Sequence, residues 1–181
     1  MSGFISILRG INVSGQKKIL MKDLKLLYEN LQLTDVKTYI QSGNVVFNMS
    51  EAYNETTLCK KIETAIFEKY AFEVPVIIRT KEEIQEIINS NPFLNEDSIN
   101  PEKLHVTFLS KKPLTINLNS IEPLNYLPDR FRMAGREIFL HCPVNYGETK
   151  LSNKFFESKL KVSATTRNWK TVNRLFEMLT Q

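Results

Sequence analysis

The 181-residue sequence predicts a mixed α+β fold in two subdomains, and three observations carry that expectation. Up to Arg79, apolar strand-like runs alternate with apolar stripes at helical spacing, in the order strand, helix, strand, strand, helix, strand. Gln41-Ser42-Gly43 and Ala134-Gly135-Arg136 each separate two strand-like runs and read as hairpin turns. Beyond Pro101 the strand pattern resumes in a second, less regular arrangement. That order is the split βαβ of a ferredoxin-like (α/β-plait) unit. The expected division is a plait over residues 1–79, then a plait-like subdomain over 80–181 that ends in two helices.

Each element has a local reason. Phe4-Ile5-Ser6-Ile7-Leu8 is a buried strand, and Gly10 to Ile19 is a loop. Met21, Leu24, Leu27, Tyr28 and Leu31 form one helical stripe, and Leu58, Ile62, Ala65, Ile66 and Tyr70 form another. Val36 to Ile40 and Asn44 to Asn48 flank the first turn, and Pro75 to Arg79 is a fourth strand. Thr80 and Glu83 have capping-box spacing and open a short helix that Asn91-Pro92 ends. Leu104 to Leu109, Asp129 to Met133 and Glu137 to Cys142 are strands. Helices are expected near Asn153–Leu160 and Arg167–Leu179, the second capped by Thr166. In that last helix Arg167, Lys170 and Arg174 share one face, while Trp169, Val172, Phe176 and Leu179 share the other, which assigns Trp169 to the core.

Composition narrows the function. Apolar residues make up 42% and aromatics 10%, as in a chain with a real core. The start lacks the features of a signal peptide, and no apolar run is long enough to span a bilayer, so the expectation is a cytoplasmic protein without a membrane partner. Cys59 and Cys142 are expected as buried free thiols. The net charge of +4 is uneven, because residues 130–181 carry ten Lys/Arg against four Asp/Glu. That excess fits a surface facing an anion, or a solvated helix face.

Three polar signatures stand out: Leu8 to Asn12, Tyr39 to Phe47 and Thr165 to Val172. Their Arg, Asn, Gln, Ser and Thr side chains hydrogen-bond or carry fixed charge but do not titrate near neutrality, which suits ligand holding more than proton transfer. The candidate ligand-binding residues are Arg9, Asn12, Lys17, Gln41, Ser42, Asn44, Lys150, Ser152, Asn153, Thr166, Arg167 and Asn168. Gly10 to Lys17 has the glycine spacing of a phosphate-binding loop. Gln16, however, displaces the lysine by one, and no Ser/Thr follows to ligate magnesium. An NTPase is therefore excluded, while an amide-rich loop with Lys17 and Lys18 remains able to contact phosphate. No catalytic residue, cofactor or metal site is assigned. His105 and His141 read as strand residues, and no Cys/His spacing fits zinc.

The signatures, together with NPF (Asn91 to Phe93), KLHVTFL (Lys103 to Leu109), GREIFLH (Gly135 to His141) and KLSN (Lys150 to Asn153), resemble the bacterial family called domain of unknown function 1697, DUF1697. The resemblance runs along the whole chain and implies two α/β-plait subdomains, but no activity. This chain departs from it at Ser14, where a second glycine is usual, and at Leu20, where proline is usual. The leading expectation is an α+β protein that binds a phosphorylated or polyanionic ligand, nucleic acid ahead of a free nucleotide. The alternatives are an enzyme acting on a small phosphorylated metabolite in an inter-subdomain pocket, and a protein-interaction module whose signatures only cap and turn.

Overall fold

The computed structural model describes residues 2–50, 54–121 and 125–181. Two compact units divide the chain: the residues up to Gln85 with Arg174–Gln181, and Glu86–Asn173. In the first, β1 (Ser2–Leu8), α1 (Met21–Asn30), β2 (Thr34–Tyr39), β3 (Asn44–Met49), α2 (Glu55–Tyr70) and β4 (Val76–Thr80) follow the expected order. The four strands form one antiparallel sheet in the order β2-β3-β1-β4. The helix α3 (Lys81–Asn89) starts directly from β4 through the expected capping box. There the Glu83 amide donates to Thr80 Oγ1 at 3.2 Å, and the Thr80 amide donates to Glu83 Oε2 at 2.8 Å.

Alternation along the strands builds the core. Phe4, Leu8, Val45, Phe47, Val76 and Ile78 point to one side of the sheet and pack with Leu24, Tyr28, Leu58, Ile62 and Ile66 from the two helices. Phe4 stacks on Phe47 at 5.6 Å, and Tyr28 meets Phe47 edge-on at the same centroid distance. The buried Tyr28 hydroxyl is satisfied by Ser6 Oγ at 2.6 Å, which explains why a serine stands in an otherwise apolar strand. Ile5 and Ile7, on the opposite side, are also out of water, so both sides of β1 are covered and the FISIL run needs no alternation.

The second unit repeats this architecture. The elements β5 (Leu104–Leu109), α4 (Thr115–Leu118), β6 (Arg130–Ala134), β7 (Glu137–His141), α5 (Asn153–Leu160) and β8 (Ala164–Asn168) give a sheet ordered β6-β7-β5-β8, the topological equivalent of the first. Its core gathers Leu109, Ile138, Leu140, Leu151, Phe156, Leu160 and Ala164. The chain is thus an α+β protein of two ferredoxin-like subdomains.

One element corrects the sequence-based expectation. Thr166 and Arg167 do not open the last helix; they lie in β8, paired with Thr107 and Val106 of β5. The helix α6 (Trp169–Thr180) begins later and is capped by Asn168, whose Oδ1 accepts from the Thr171 amide at 2.8 Å. The β-branched pair Thr165-Thr166 suits the fourth strand that a plait requires, and sheet completion overrides the helical periodicity that continues downstream. Trp169 is 7% exposed and belongs to the buried set, as expected.

Candidate functional site

The loop after β1 is a built element. Its tip, Val13 to Gln16, is a two-residue hairpin. Ser14 (φ +49°) and Gly15 (φ +75°) are both left-handed, and the Gln16 amide donates to Val13 O at 2.9 Å. Two left-handed residues in sequence define a type I′ turn, which explains why glycine suits position 14 and why serine still folds there. Asn12 staples the base. Its Nδ2 donates to Ile19 O at 2.9 Å and to Gln41 O at 2.8 Å, and its Oδ1 accepts from the Ile19 amide at 2.9 Å. Both amide hydrogens of Asn12 are therefore committed. Lys17 donates to Glu73 O at 2.6 Å, which pins the ammonium group.

Beside this loop sits the β2–β3 hairpin. The Asn44 side chain, fully buried, donates to Tyr39 O and Ser42 Oγ, both at 3.0 Å, and so closes the turn from inside. Gly43 (φ +78°) accepts the Leu8 amide at 2.8 Å through its carbonyl. A Cβ at Gly43 would stand 2.7 Å from Ile11 Cδ1 and 2.8 Å from Leu8 Cβ, so the bare Cα is where loop and hairpin close on each other. The first two signatures thus meet in one unit: Asn12, Gln41, Ser42 and Asn44 build a junction, while Gln41 and Lys18 face solvent and Arg9 is partly exposed.

In the second unit two further signatures meet. Ser152 caps α5 by accepting from the Phe155 amide at 3.3 Å. Thr166 donates to Asn153 Oδ1 at 2.7 Å and receives the Thr107 hydroxyl at 2.6 Å, since a hydroxyl has a single hydrogen to give. Lys150 is exposed beside them. Arg167 differs from the expected surface cation. It is 9% exposed, and its Nη1 donates to Thr165 Oγ1 and Thr166 O, both at 2.9 Å. Strand alternation turns it to the side of Val106 and Phe139, away from open solvent.

A residue absent from the candidate set has the same geometry. Arg79, near the end of β4, is fully buried and donates from Nη1 to Ile78 O at 2.8 Å. It pairs with Ile5 of β1 as Arg167 pairs with Val106 of β5, and each is followed by a helix-capping residue, Thr80 or Asn168. Both arginines curl onto the carbonyl of the preceding residue. The shared signal in the sequence is an arginine followed by a polar cap at a strand-to-helix junction.

Burial shifts both cysteines and both histidines. Burial pushes the Cys59 thiol up to about 12 and Cys142 to about 11, so both stay protonated at neutral pH. His105 stacks on Tyr146 at 4.6 Å, its buried Nδ1 has no hydrogen-bond partner among the described residues, and burial lowers its pKa below 6.5. His141 is lowered too, by burial first and then by the nearby Arg130. The sign of the consequence is fixed: a histidine whose folded pKa lies below its unfolded value takes up its proton first in the unfolded chain. Stability is therefore full above pH 6.5 and falls as the pH drops through the window beneath it. Replacing His105 with Phe keeps a ring against Tyr146 and removes one titrating group. Denaturant midpoints measured on either side of pH 6.5 should shift less in that variant than in the parent. Among the described residues, no three His, Cys, Asp or Glu side chains gather as metal ligands, and no helix is long and apolar enough to cross a membrane.

Two plaits, with polar signatures spent largely on their own turns and caps, define a small two-subdomain α+β protein. The chain belongs to the family of proteins of unknown function DUF1697, whose model matches residues 1–139. A conserved bacterial protein from Streptococcus pneumoniae has a similar structure, with a TM-score of 0.78 and 24% identity over 98% of each chain, a likeness that establishes the fold. No curated protein matches the chain.

Proposed function

We propose that the protein binds a phosphate-bearing polymer, single-stranded nucleic acid, through the loop between β1 and α1. The observation that carries the reading is the ordered loop itself. The Asn12 staple and the type I′ tip fix the loop that carries Lys17 and Lys18, and the backbone amides of Ser14, Gly15 and Lys18 have no hydrogen-bond partner among the described residues. Cations beside exposed amides favour phosphate oxygens, and a fixed loop gives up little entropy on binding them. Arg9 at the loop's base and exposed Lys22 on α1 add positive charge. Lys150, exposed just before α5 in the second unit, is a separate candidate cation of the same kind.

The test is an anisotropy titration with fluorescein-labelled single-stranded RNA and DNA over a salt series. Log affinity should fall linearly with log salt, by about 0.7 per phosphate neutralised on a single strand, and Lys18→Ala should reduce that slope by about one contact. Free nucleotide serves as competitor, and displacement at low concentration would move the assignment to a mononucleotide. Absence of binding at low salt would reject the reading.

A further inference from the structure

The second unit holds a separate feature that the phosphate reading does not use. A cleft of about 670 Å³ is lined by Asn125 to Leu127, Asp129 and the run Arg130 to Met133. The last four are consecutive residues of β6. Side chains alternate across a strand, so a pocket on one face of the sheet would touch only every second residue. Four residues in a row place this cleft along the strand's edge. β6 is the outermost strand of its sheet, and among the described residues nothing pairs with its outer side.

Edge strands are ordinarily blunted against further pairing. The equivalent edge of the first unit, β2, is blunted: its register is broken by a bulge between Thr34 and Lys37, with Asp35 left-handed at φ +51°. In contrast, β6 pairs with β7 without a break from Arg130↔His141 to Ala134↔Glu137. Its register is regular, and of its outward main-chain groups Phe131 O already accepts from Arg132 Nη1.

The two sides of β6 state what that strand must carry. Arg130 and Arg132 share one side, where Phe93 lies beneath both guanidiniums at 5.2 and 6.0 Å. Glu96 already occupies Arg130, with oxygens at 2.7 and 3.3 Å from its nitrogens, and shows that a carboxylate fits there. Exposed Arg132 donates from Nη1 to Phe131 O at 3.1 Å, which leaves the rest of its fork for a ligand. Asp129, the one acid among the described lining residues, accepts from the Thr149 hydroxyl. On the other side Phe131 and Met133 are half-buried, next to Tyr126 and Leu127. A second copy of this strand is disfavoured, because antiparallel pairing about its middle residue would set Arg132 against Arg132.

We propose that the edge of β6 docks an extended segment of a partner protein in which acidic and apolar residues alternate, an acid facing Arg132 and the apolar side chains facing Phe131 and Met133. Main-chain hydrogen bonds to the edge supply affinity and the alternation supplies register. The probe is a Glu-Val-Glu-Val-Glu peptide added to the full chain, with Lys-Val-Lys-Val-Lys and Glu-Glu-Glu-Val-Val as controls. Amide exchange should slow at residues 130–134 with the alternating acidic peptide alone. Arg132→Glu should weaken that peptide by about tenfold, the scale of one charge-assisted contact, and should bring the lysine peptide into binding. The charge reversal separates recognition from any loss of fold. Equal binding of the two acidic peptides, or no exchange change at 130–134, would overturn the proposal and leave the arginines as charges that guard the edge.

Discussion

Replacing Gly43 with Ala should destabilise the protein by about 2–5 kcal/mol, from a left-handed backbone forced on a residue with a side chain and from overpacking in a filled junction. The φ of +78° alone disfavours any L side chain. The added methyl would also stand 2.8 Å from Leu8 Cβ, an atom fixed to the central strand that cannot swing away as the tip of Ile11 can. Relief requires the β2–β3 hairpin to lift off the end of β1, at the expense of the 2.8 Å bond from the Leu8 amide to Gly43 O. Urea denaturation gives the number directly. A variant within about 1 kcal/mol of the parent would mean that the junction is not closed at this point.

Arg79→Ala should have an effect of comparable size, about 3–5 kcal/mol, because it removes a buried, bonded cation and leaves its partners and a cavity behind. The side chain is wholly out of water and reaches Ile78 O at 2.8 Å and Glu55 Oε1 at 3.8 Å. Arg79→Lys should fail to restore stability, since an ammonium group is a point charge without the planar fork. Removing the Glu55 carboxylate should matter less, about 1 kcal/mol or below, because that group is a quarter exposed and sits at the far limit of an ion pair. Denaturant midpoints of the three variants, in that order of severity, test the assignment. A lysine variant as stable as the parent would show that charge alone is needed.

These arginines mark the limit of what local patterns reveal. Arg79 ends a strand-like run and looks like an ordinary boundary charge, and Arg167 looks like a helix-surface cation three residues from Lys170. Each is buried by its place in the assembled sheet, on a strand that pairs with the first strand of its unit. The candidate residues divide in the same way. That Asn12, Ser42 and Ser152 favour turns and caps was legible from residue type. That Asn12 reaches Gln41, 29 positions away, was not, nor that Asn153 meets Thr166 across the second unit.

The sequence by itself determined the number, type and order of most elements, the two hairpin turns, the Thr80–Glu83 cap and the core stripes. All of these depend on residues within about one helical turn or one strand of each other. Tertiary structure decided that Thr165 to Asn168 are a strand and that two arginines are buried. It also decided that β6 is an edge strand of unbroken register, with no further strand beside it among the described residues. The physical reason is shared: strand pairing, burial and edge position are set by partners far along the chain, so their free energy is not written in any local window.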